Sequence, residues 1–194
     1  MHILSAAAAV FTIGAALPAM ADSTPVWKEL DHWRIGVDAG NCYMATSYNQ
    51  KRAALRFGFD RANKRMYFFF GDSAWKSLQL GESYFISIQL GNESPWSGPA
   101  KATRLGSTTF LLLTFPDANN AASRFTEEIA AAPGLTIRYS GKHIASWRLD
   151  QAKEAVNQMM RCEGEIIKQA GTSAPADPFA SSSSTGPADP FRPL

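Results

Sequence analysis

The chain has 194 residues, 45% of them hydrophobic, with a formal net charge of +2 and only two cysteines. A chain of this length suits one domain with a sizeable core. The small net charge does not favour general nucleic-acid binding, and two cysteines far apart in sequence do not favour a thiolate metal site.

Residues 1–21 have the composition of a secretory signal peptide. The stretch "ILSAAAAVFTIGAALPAMA" is apolar and uncharged, and it ends in a small-x-small cleavage pattern. A membrane anchor is the alternative, but Gly14 and Pro18 interrupt the segment and its length is near the lower limit for a span. We therefore predict cleavage before Asp22, a periplasmic or secreted protein, and no integral membrane span in the mature chain.

Most of residues 26–115 show strand patterns. The stretch "KRAALRFGFD" places Leu55 and Phe57 on one face and Arg52 and Arg56 on the solvent face, as in a half-buried antiparallel strand. The stretches "HWRIGVD" and "SYFISIQLG" alternate in the same way, and "RMYFFFGD" is aromatic on both faces, as in a central strand. Because of its Pro and Gly content, "NESPWSGP" predicts a loop, and "AKATRLG" and "TTFLLLTF" predict two more strands after it.

The hydrophobic period then changes to that of a helix. The stretch "ANNAASRFTEEIAAAPG" predicts a helix with Asn119 or Asn120 as its N-cap and residues 133–134, Pro-Gly, as its stop. The stretches "LTIRYSG" and "KHIASWRL" predict a hairpin that turns at residues 140–141. Asp150 is the predicted N-cap of a last helix, "QAKEAVNQMMRCEGEIIKQA".

The two cysteines predict a disulfide bond. An exported protein meets an oxidising compartment, and Cys162 lies on the apolar face of the last helix, where a bridge to a strand requires it. We expect Cys42 and Cys162 to join the first strands to this helix. The predicted fold of residues 22–170 is a single α+β, mainly β, domain: an antiparallel sandwich-like sheet with two packed helices.

Residues 171–194 predict a disordered tail, because they are rich in Ser, Pro and Ala and have little apolar content. The sequence "PADPF" occurs twice in this tail, at 175–179 and at 187–191. One interpretation is a flexible tail with an accidental duplication. The other is a pair of docking motifs anchored by Phe179 and Phe191, which would gain affinity through effective concentration.

The stretch "FFFGDSAW", residues 68–75, resembles the nucleophile block of the GDSL hydrolases around Ser73. A serine nucleophile needs a histidine base, and in that family the histidine follows an aspartate by three residues. The mature chain has only His32 and His143, and neither has that spacing. Asp72 and Ser73 are typical turn residues. We therefore predict no catalytic residue, no metal site and no cofactor.

Residues 51–65 are strongly basic. Arg52, Arg56, Arg61 and Lys64 are predicted on the solvent face of one strand and on the turn that follows it, and we call these four residues the basic hairpin. One interpretation is a solvated edge that resists strand-to-strand aggregation. The other is a contact for an anionic partner, such as an acidic protein or an anionic component of the cell envelope.

The tryptophans divide into two groups. Trp33 and Trp147 lie in strand patterns and are expected in the core, whereas Trp75 follows the Asp-Ser turn and Trp96 lies in the predicted loop. Loop tryptophans are typical of binding hot spots, so Trp75 and Trp96 are candidate partner-binding residues. The alternative is that both fold back onto the core.

The order of these parts resembles a known family. A signal peptide, "WRIGV", a nearby "NCYM", short strands and a late "LDQAKEAVNQMM" helix are similar in layout to the small exported proteins of the invasion-associated locus B type in α-proteobacteria. The resemblance implies a non-enzymatic periplasmic or surface protein, but it carries over no site residues. The cysteine pattern, one near the N-terminus and one in the last helix, departs from that family.

The sequence thus favours a non-catalytic, exported binding protein that acts in the cell envelope. Its expected partner is another protein or an anionic envelope component. Two alternatives remain open at this point: an inhibitor or immunity protein that neutralises an envelope-directed enzyme or toxin, and a hydrolase built on carboxylates that sequence spacing does not reveal.

Overall fold

A computed structural model describes residues 25–48, 52–106, 108–116 and 120–172, with only the backbone for 171 and 172. The predicted signal peptide and the tail residues Phe179 and Phe191 lie outside these ranges. The elements in chain order are β1 (Val26–Glu29), β2 (Arg34–Asp38), β3 (Asn41–Tyr48), β4 (Ala53–Asp60), a 3-10 turn (Arg61–Asn63), β5 (Arg65–Asp72), β6 (Ser83–Leu90), β7 (Trp96–Leu105), β8 (Thr108–Pro116), α1 (Ala121–Ala131), β9 (Gly134–Tyr139), β10 (Lys142–Arg148) and α2 (Ala152–Thr172).

All ten strands form one antiparallel sheet in the order β1-β2-β3-β4-β5-β8-β7-β6-β9-β10. The sheet curls back on itself. Tyr48 at the end of β3 stacks on Trp147 of β10 with ring centroids 5.8 Å apart, although six strands separate β3 from β10 in this order. The predicted class, a mainly β α+β domain with an antiparallel sheet and two packed helices, is confirmed.

The core lies on the inner face of the curled sheet, where α1 and α2 cover it. Phe57 of β4 and Phe68 of β5 pack around Phe125 of α1, with ring centroids 5.5–5.7 Å from it. Trp33 and Trp147 are buried, as predicted. The buried face of α2 has the predicted helical spacing and consists of Ala152, Ala155, Val156, Gln158, Met159, Cys162 and Glu163.

The predicted bond between Cys42 and Cys162 is present and joins β3 to α2, with Cα atoms 6.1 Å apart. The neighbouring Glu163 reinforces this junction. Its Oε2 accepts a hydrogen bond of 2.8 Å from the backbone N–H of Cys42, and its Oε1 lies 2.9 Å from Nε of Arg61. Both cysteines and Glu163 are buried, so the start of the sheet is tied to α2 by a covalent bond and by two polar contacts.

Two local expectations are wrong. Trp96 begins β7 instead of lying in a loop, and β7 continues through Pro99. In the described residues β8 pairs with β7 only from Lys101 onward, and sheets tolerate proline where a strand is paired on one side. Asp150 is not the N-cap of α2. Its Oδ1 accepts a hydrogen bond from Arg148, and Gln151 takes the position before the helix.

The predicted start of α1 and the predicted hairpin turn before β10 are largely as expected. Asn120 precedes α1 as predicted, although with φ 57° it makes no side-chain cap hydrogen bond. The predicted hairpin turn between β9 and β10 is present at Ser140 and Gly141, which have φ of 50° and 75°.

Candidate functional site

The outer face of the sheet carries an alternating row of glycines and tyrosines. Gly36, Tyr43, Gly58 and Tyr67 are successive cross-strand neighbours on β2, β3, β4 and β5. Their sequence neighbours on the same strands point into the core, so these four residues face away from it. The row is therefore built from one position in each of four adjacent strands.

Each glycine makes room for a tyrosine ring. A Cβ atom at Gly36 would overlap the ring of Tyr43, and one at Gly58 would stand 2.7 Å from Oη of Tyr67 and 2.9 Å from the carbonyl oxygen of Cys42. Glycine inside a strand costs conformational entropy and commonly marks such a close approach. Both tyrosines therefore lie against the sheet instead of standing away from it.

Arg56 is held by these tyrosines. Its Cζ lies 3.7 Å from the ring centroid of Tyr43 and 5.8 Å from that of Tyr67, within cation–π range. Its Nη2 donates to Oδ2 of Asp38, at the end of β2. Arg56 is only 6% exposed, and its buried Nε has no hydrogen-bond partner among the described residues. A charged side chain is thus desolvated on the outer face and incompletely satisfied.

The electrostatics keep this cation charged. Burial alone lowers the pKa of Arg56, but Tyr67 and Asp38 more than offset burial and raise that pKa above its ordinary value. Burial raises the pKa of Tyr67, which Arg56 opposes. The site therefore presents a permanent guanidinium beside a neutral phenol.

These residues form part of the wall of a cavity of about 290 Å³, which we call the outer-face pocket. Two ion pairs line its polar side: Arg56 with Asp38, and Arg65 with Asp60, whose Nε and Oδ2 atoms are 2.8 Å apart. Its apolar wall comes from β4, β5, β7 and β8. The lining residues are Asp38, Ala39, Asn41, Arg56, Phe59, Asp60, Arg65, Tyr67, Phe69, Leu105, Leu112 and Thr114.

The basic hairpin forms the predicted solvent-facing surface only in part, because Arg52, Arg61 and Lys64 are exposed and Arg56 is buried. Arg56 lies on the predicted face of β4, but its predicted exposure is wrong because Tyr43 covers it. Arg61 is engaged by Glu163, Asn41 and the carbonyl of Gly40.

Arg61 is nevertheless exposed, as predicted, and so are the remaining two members of the basic hairpin. Arg52 lies 3.9 Å from Asp72, and Lys64 ends the 3-10 turn in a left-handed conformation. The structure therefore divides the four residues between the outer-face pocket, a structural contact and open surface.

The two candidate tryptophans fold back onto the core. The ring of Trp96 packs edge-on against Phe125 with centroids 5.4 Å apart, its Nε1 donates to Glu128, and Arg124 covers its other side. Trp75 is half-buried, with its ring centroid 6.2 Å from that of Trp147. Of the two interpretations of these tryptophans, the structure bears out the packed one.

The Asp-Ser stretch forms the expected turn. Oδ1 of Asp72 accepts from the backbone N–H of Ala74, and the N–H of Ser73 donates to the carbonyl of Arg52. Elsewhere, Nε2 of His143 lies 2.8 Å from Oγ of Ser146 on the exposed surface of β10. Within the described residues, no hydrogen bond joins His143 to a carboxylate that could orient it as a base.

A second cavity, of about 420 Å³, lies where the ends of the sheet meet. Its polar groups hold the fold together: Trp33 Nε1 donates to the carbonyl of Asp150, and the Tyr48 hydroxyl donates to that of Arg148. Burial raises the pKa of Tyr48 to about 12. The outer-face pocket differs from this cavity because it contains a buried cation whose Nε has no hydrogen-bond partner among the described residues.

Sequence reasoning found Arg56 but missed the residues that make it a site, namely Gly36, Asp38, Tyr43, Gly58 and Tyr67. The available signal was the glycine at an outward position in each of two otherwise bulky strands, which indicates close approach of another group. Nothing in a single sequence shows which group approaches.

No family model, curated protein or solved structure matches the chain. In the described part of the chain, no helix is long and apolar enough to cross a membrane. No group of three or more His, Cys, Asp or Glu residues within those same ranges is placed to hold a metal ion.

Proposed function

We propose that this protein is an exported, non-catalytic binding protein of the cell envelope, and that the outer-face pocket holds its ligand. The observation that carries the proposal is the buried Arg56 between two tyrosine rings. A buried charge is a poor device for stability, because its desolvation is costly and well-packed apolar residues in its place are often neutral or stabilising. A desolvated guanidinium at the wall of a cavity is better explained as part of a binding site.

A small ligand fits the structure better than a protein partner does. Trp75 and Trp96, which would anchor a protein interface, are packed against the core, and Arg56 of the basic hairpin is buried. The expected partner was another protein or an anionic envelope component, and the proposal here is a small molecule of the envelope. The resemblance in layout to the invasion-associated locus B type supports a non-enzymatic role.

Export is supported by the composition of residues 1–21 and by the bond between Cys42 and Cys162, since structural disulfides form in oxidising compartments. N-terminal sequencing of the protein from fractionated cells tests this part. We expect the mature chain to begin at Asp22 and to be absent from the cytoplasmic fraction. An intact N-terminus in the cytoplasm would contradict export.

The binding function is tested by filling the pocket with a bulky side chain and measuring whether the ligand is still retained. We would purify the mature protein with its disulfide intact, equilibrate it with a small-molecule extract of the envelope, and identify retained compounds by native mass spectrometry. Thr114→Trp fills the pocket from an exposed position of β8, and Ser97→Trp places the same bulk on the outer face of β7, away from the pocket. Both variants must first show wild-type unfolding curves.

The expected result is one compound retained by the wild type and by Ser97→Trp but lost in Thr114→Trp. Equal retention by all three proteins, or retention by none, would contradict a binding function for this pocket.

A further inference from the structure

Two charged side chains of the outer-face pocket form ion pairs within the protein and are still partly exposed to solvent. Asp38 engages Arg56 through Oδ2 and its side chain is 47% exposed, while Arg65 engages Asp60 through Nε and its side chain is 43% exposed. One carboxylate and one guanidinium therefore each keep an accessible surface beside the same cavity.

Among the residues that the structure describes, the charged side chains lining the pocket are two aspartates and two arginines, and their charges sum to zero. A ligand with one net charge would bring an uncompensated charge to this partly desolvated lining. A ligand that carries both signs avoids this penalty, because an ammonium group can meet Asp38 and a carboxylate can meet Arg65. Arginine is well suited to a carboxylate, which it can bind in bidentate geometry.

The rest of the pocket is apolar and small. Phe69, Leu105 and Leu112 line it on the outer face of β5, β7 and β8. Its volume of about 290 Å³ lies near the lower limit of about 300 Å³ that is typical of small-molecule sites. The cavity therefore suits a molecule with a compact polar end and one apolar group.

We infer that the ligand of the outer-face pocket is a free α-amino acid with an apolar side chain. Its ammonium group contacts Asp38, its carboxylate contacts Arg65, and its side chain lies against Phe69, Leu105 and Leu112. Arg56 keeps Asp38 in position through their ion pair and through its stacking on Tyr43. This inference rests on the proposed binding function and adds the chemical class of the ligand.

Calorimetric titration with three matched compounds tests the inference. The probes are phenylalanine, 3-phenylpropionate, which lacks the amine, and phenethylamine, which lacks the carboxylate. We expect the mature disulfide-bonded protein to bind phenylalanine at least tenfold more tightly than either of the other two. Equal affinity for phenylalanine and one singly charged analogue, or no binding of phenylalanine, would overturn the inference.

Three variants show whether the pocket is responsible. Arg65→Gln removes the exposed guanidinium and should weaken phenylalanine binding at least tenfold, and Thr114→Trp should abolish it. Arg138→Gln removes the same charge from an exposed position of β9 outside the pocket and should change nothing. Phenylalanine binding that survives Thr114→Trp would place its site elsewhere and overturn the inference.

The envelope-extract experiment separates this inference from the proposal beneath it. An extract compound that is not an amino acid, retained by the wild type and lost in Thr114→Trp, would refute the amino-acid inference and leave the binding function standing. Loss of both phenylalanine binding and extract retention would refute both.

Discussion

The two faces of strands β2 to β5 are built by opposite rules. On the inner face, Ile35, Met44, Phe57 and Phe68 are buried among other apolar side chains, and the packing needs nothing but size and shape. On the outer face, glycines alternate with tyrosines and a buried arginine lies across them. The inner face is what a stable sheet requires, whereas the outer face is more elaborate than stability requires.

This difference indicates that the binding site lies on the outer face of the sheet. The inner face obeys the alternation that any half-buried antiparallel sheet shows. The outer face departs from it by burying a cation and by keeping glycine in the middle of two strands, both of which work against stability. Features that cost stability and are nevertheless built with specific neighbours indicate a site.

The largest expected effect lies on the inner side, at the bond between Cys42 and Cys162. Replacing both by alanine should lower the free energy of unfolding by about 4–5 kcal/mol in the loop-entropy model, because the bond joins residues 120 positions apart. Urea unfolding of the oxidised wild type and of the double variant measures this difference. A loss below about 1 kcal/mol, given that typical losses are 2–5 kcal/mol, would show that the bond has no such stabilising role.

The next effect separates the two members of the outer-face ion pair. Asp38→Ala leaves the buried guanidinium of Arg56 without its anion and should cost about 1.5–3 kcal/mol, the range for hydrogen bonds to charged groups. Arg56→Met removes the cation, keeps most of the packing, and leaves Asp38 free to meet water, so we expect a smaller loss. Chemical unfolding of both variants decides the order, and the reverse order would mean that Arg56 acts mainly through packing.

A pair of glycine substitutions compares a crowded site with an open one. Gly58→Ala places a methyl group 2.7 Å from Oη of Tyr67 and 2.9 Å from a backbone oxygen, so overpacking should destabilise the protein by about 1–3 kcal/mol. Gly164→Ala in α2 meets no atom within 4 Å and should stabilise it by about 0.5–1 kcal/mol. Thermal unfolding measures both, and equal effects of the two substitutions would contradict the close approach of Tyr67 to Gly58.

The last effect is confined to high pH, at the rim of the inner face. Burial raises the pKa of Tyr48 to about 12, while an unfolded tyrosine ionises near pH 10. The folded state therefore holds this proton more tightly. The resulting stability is fully present below pH 10 and is lost as the pH rises towards 12.

Tyrosinate absorbance of the wild type and of Tyr48→Phe checks this expectation. The late absorbance step should lose the amplitude of one tyrosine in the variant, because the pKa of Tyr67 is also raised and its signal remains. The stability of the variant should also decline less between pH 10 and pH 12. An unchanged late step in Tyr48→Phe would assign it to another tyrosine.

Much of the fold could be predicted because local pattern and global packing agree on the inner face. The alternation around Phe57, the helical spacing around Cys162 and the hairpin before β10 each specify an element without knowledge of its neighbours. The Pro and Gly neighbours of Trp96 are typical of a loop, and only the one-sided pairing of β7 explains why a strand tolerates them.

The site could be predicted only in part, because it depends on strand register. Arg56 was assigned to the correct face of β4, but the sequence does not show that Tyr43 and Tyr67 lie beside it. That neighbourhood follows from the pairing of Tyr43 with Gly58 and of Gly58 with Tyr67. Register links residues from four strands. The alternation within one strand excludes a one-residue slip, which would exchange the two faces, but it does not show which residue of the next strand lies opposite.

The most direct test of the outer-face pocket is the NMR signal of arginine Nε–H groups during titration with the small-molecule extract of the envelope. We expect the resonances of Arg56 and Arg65 to shift in a saturable manner while that of Arg138 stays in place, and we expect Thr114→Trp to abolish the shifts. Unchanged Arg56 and Arg65 signals at saturating extract would contradict the claim that this face of the sheet is a binding site.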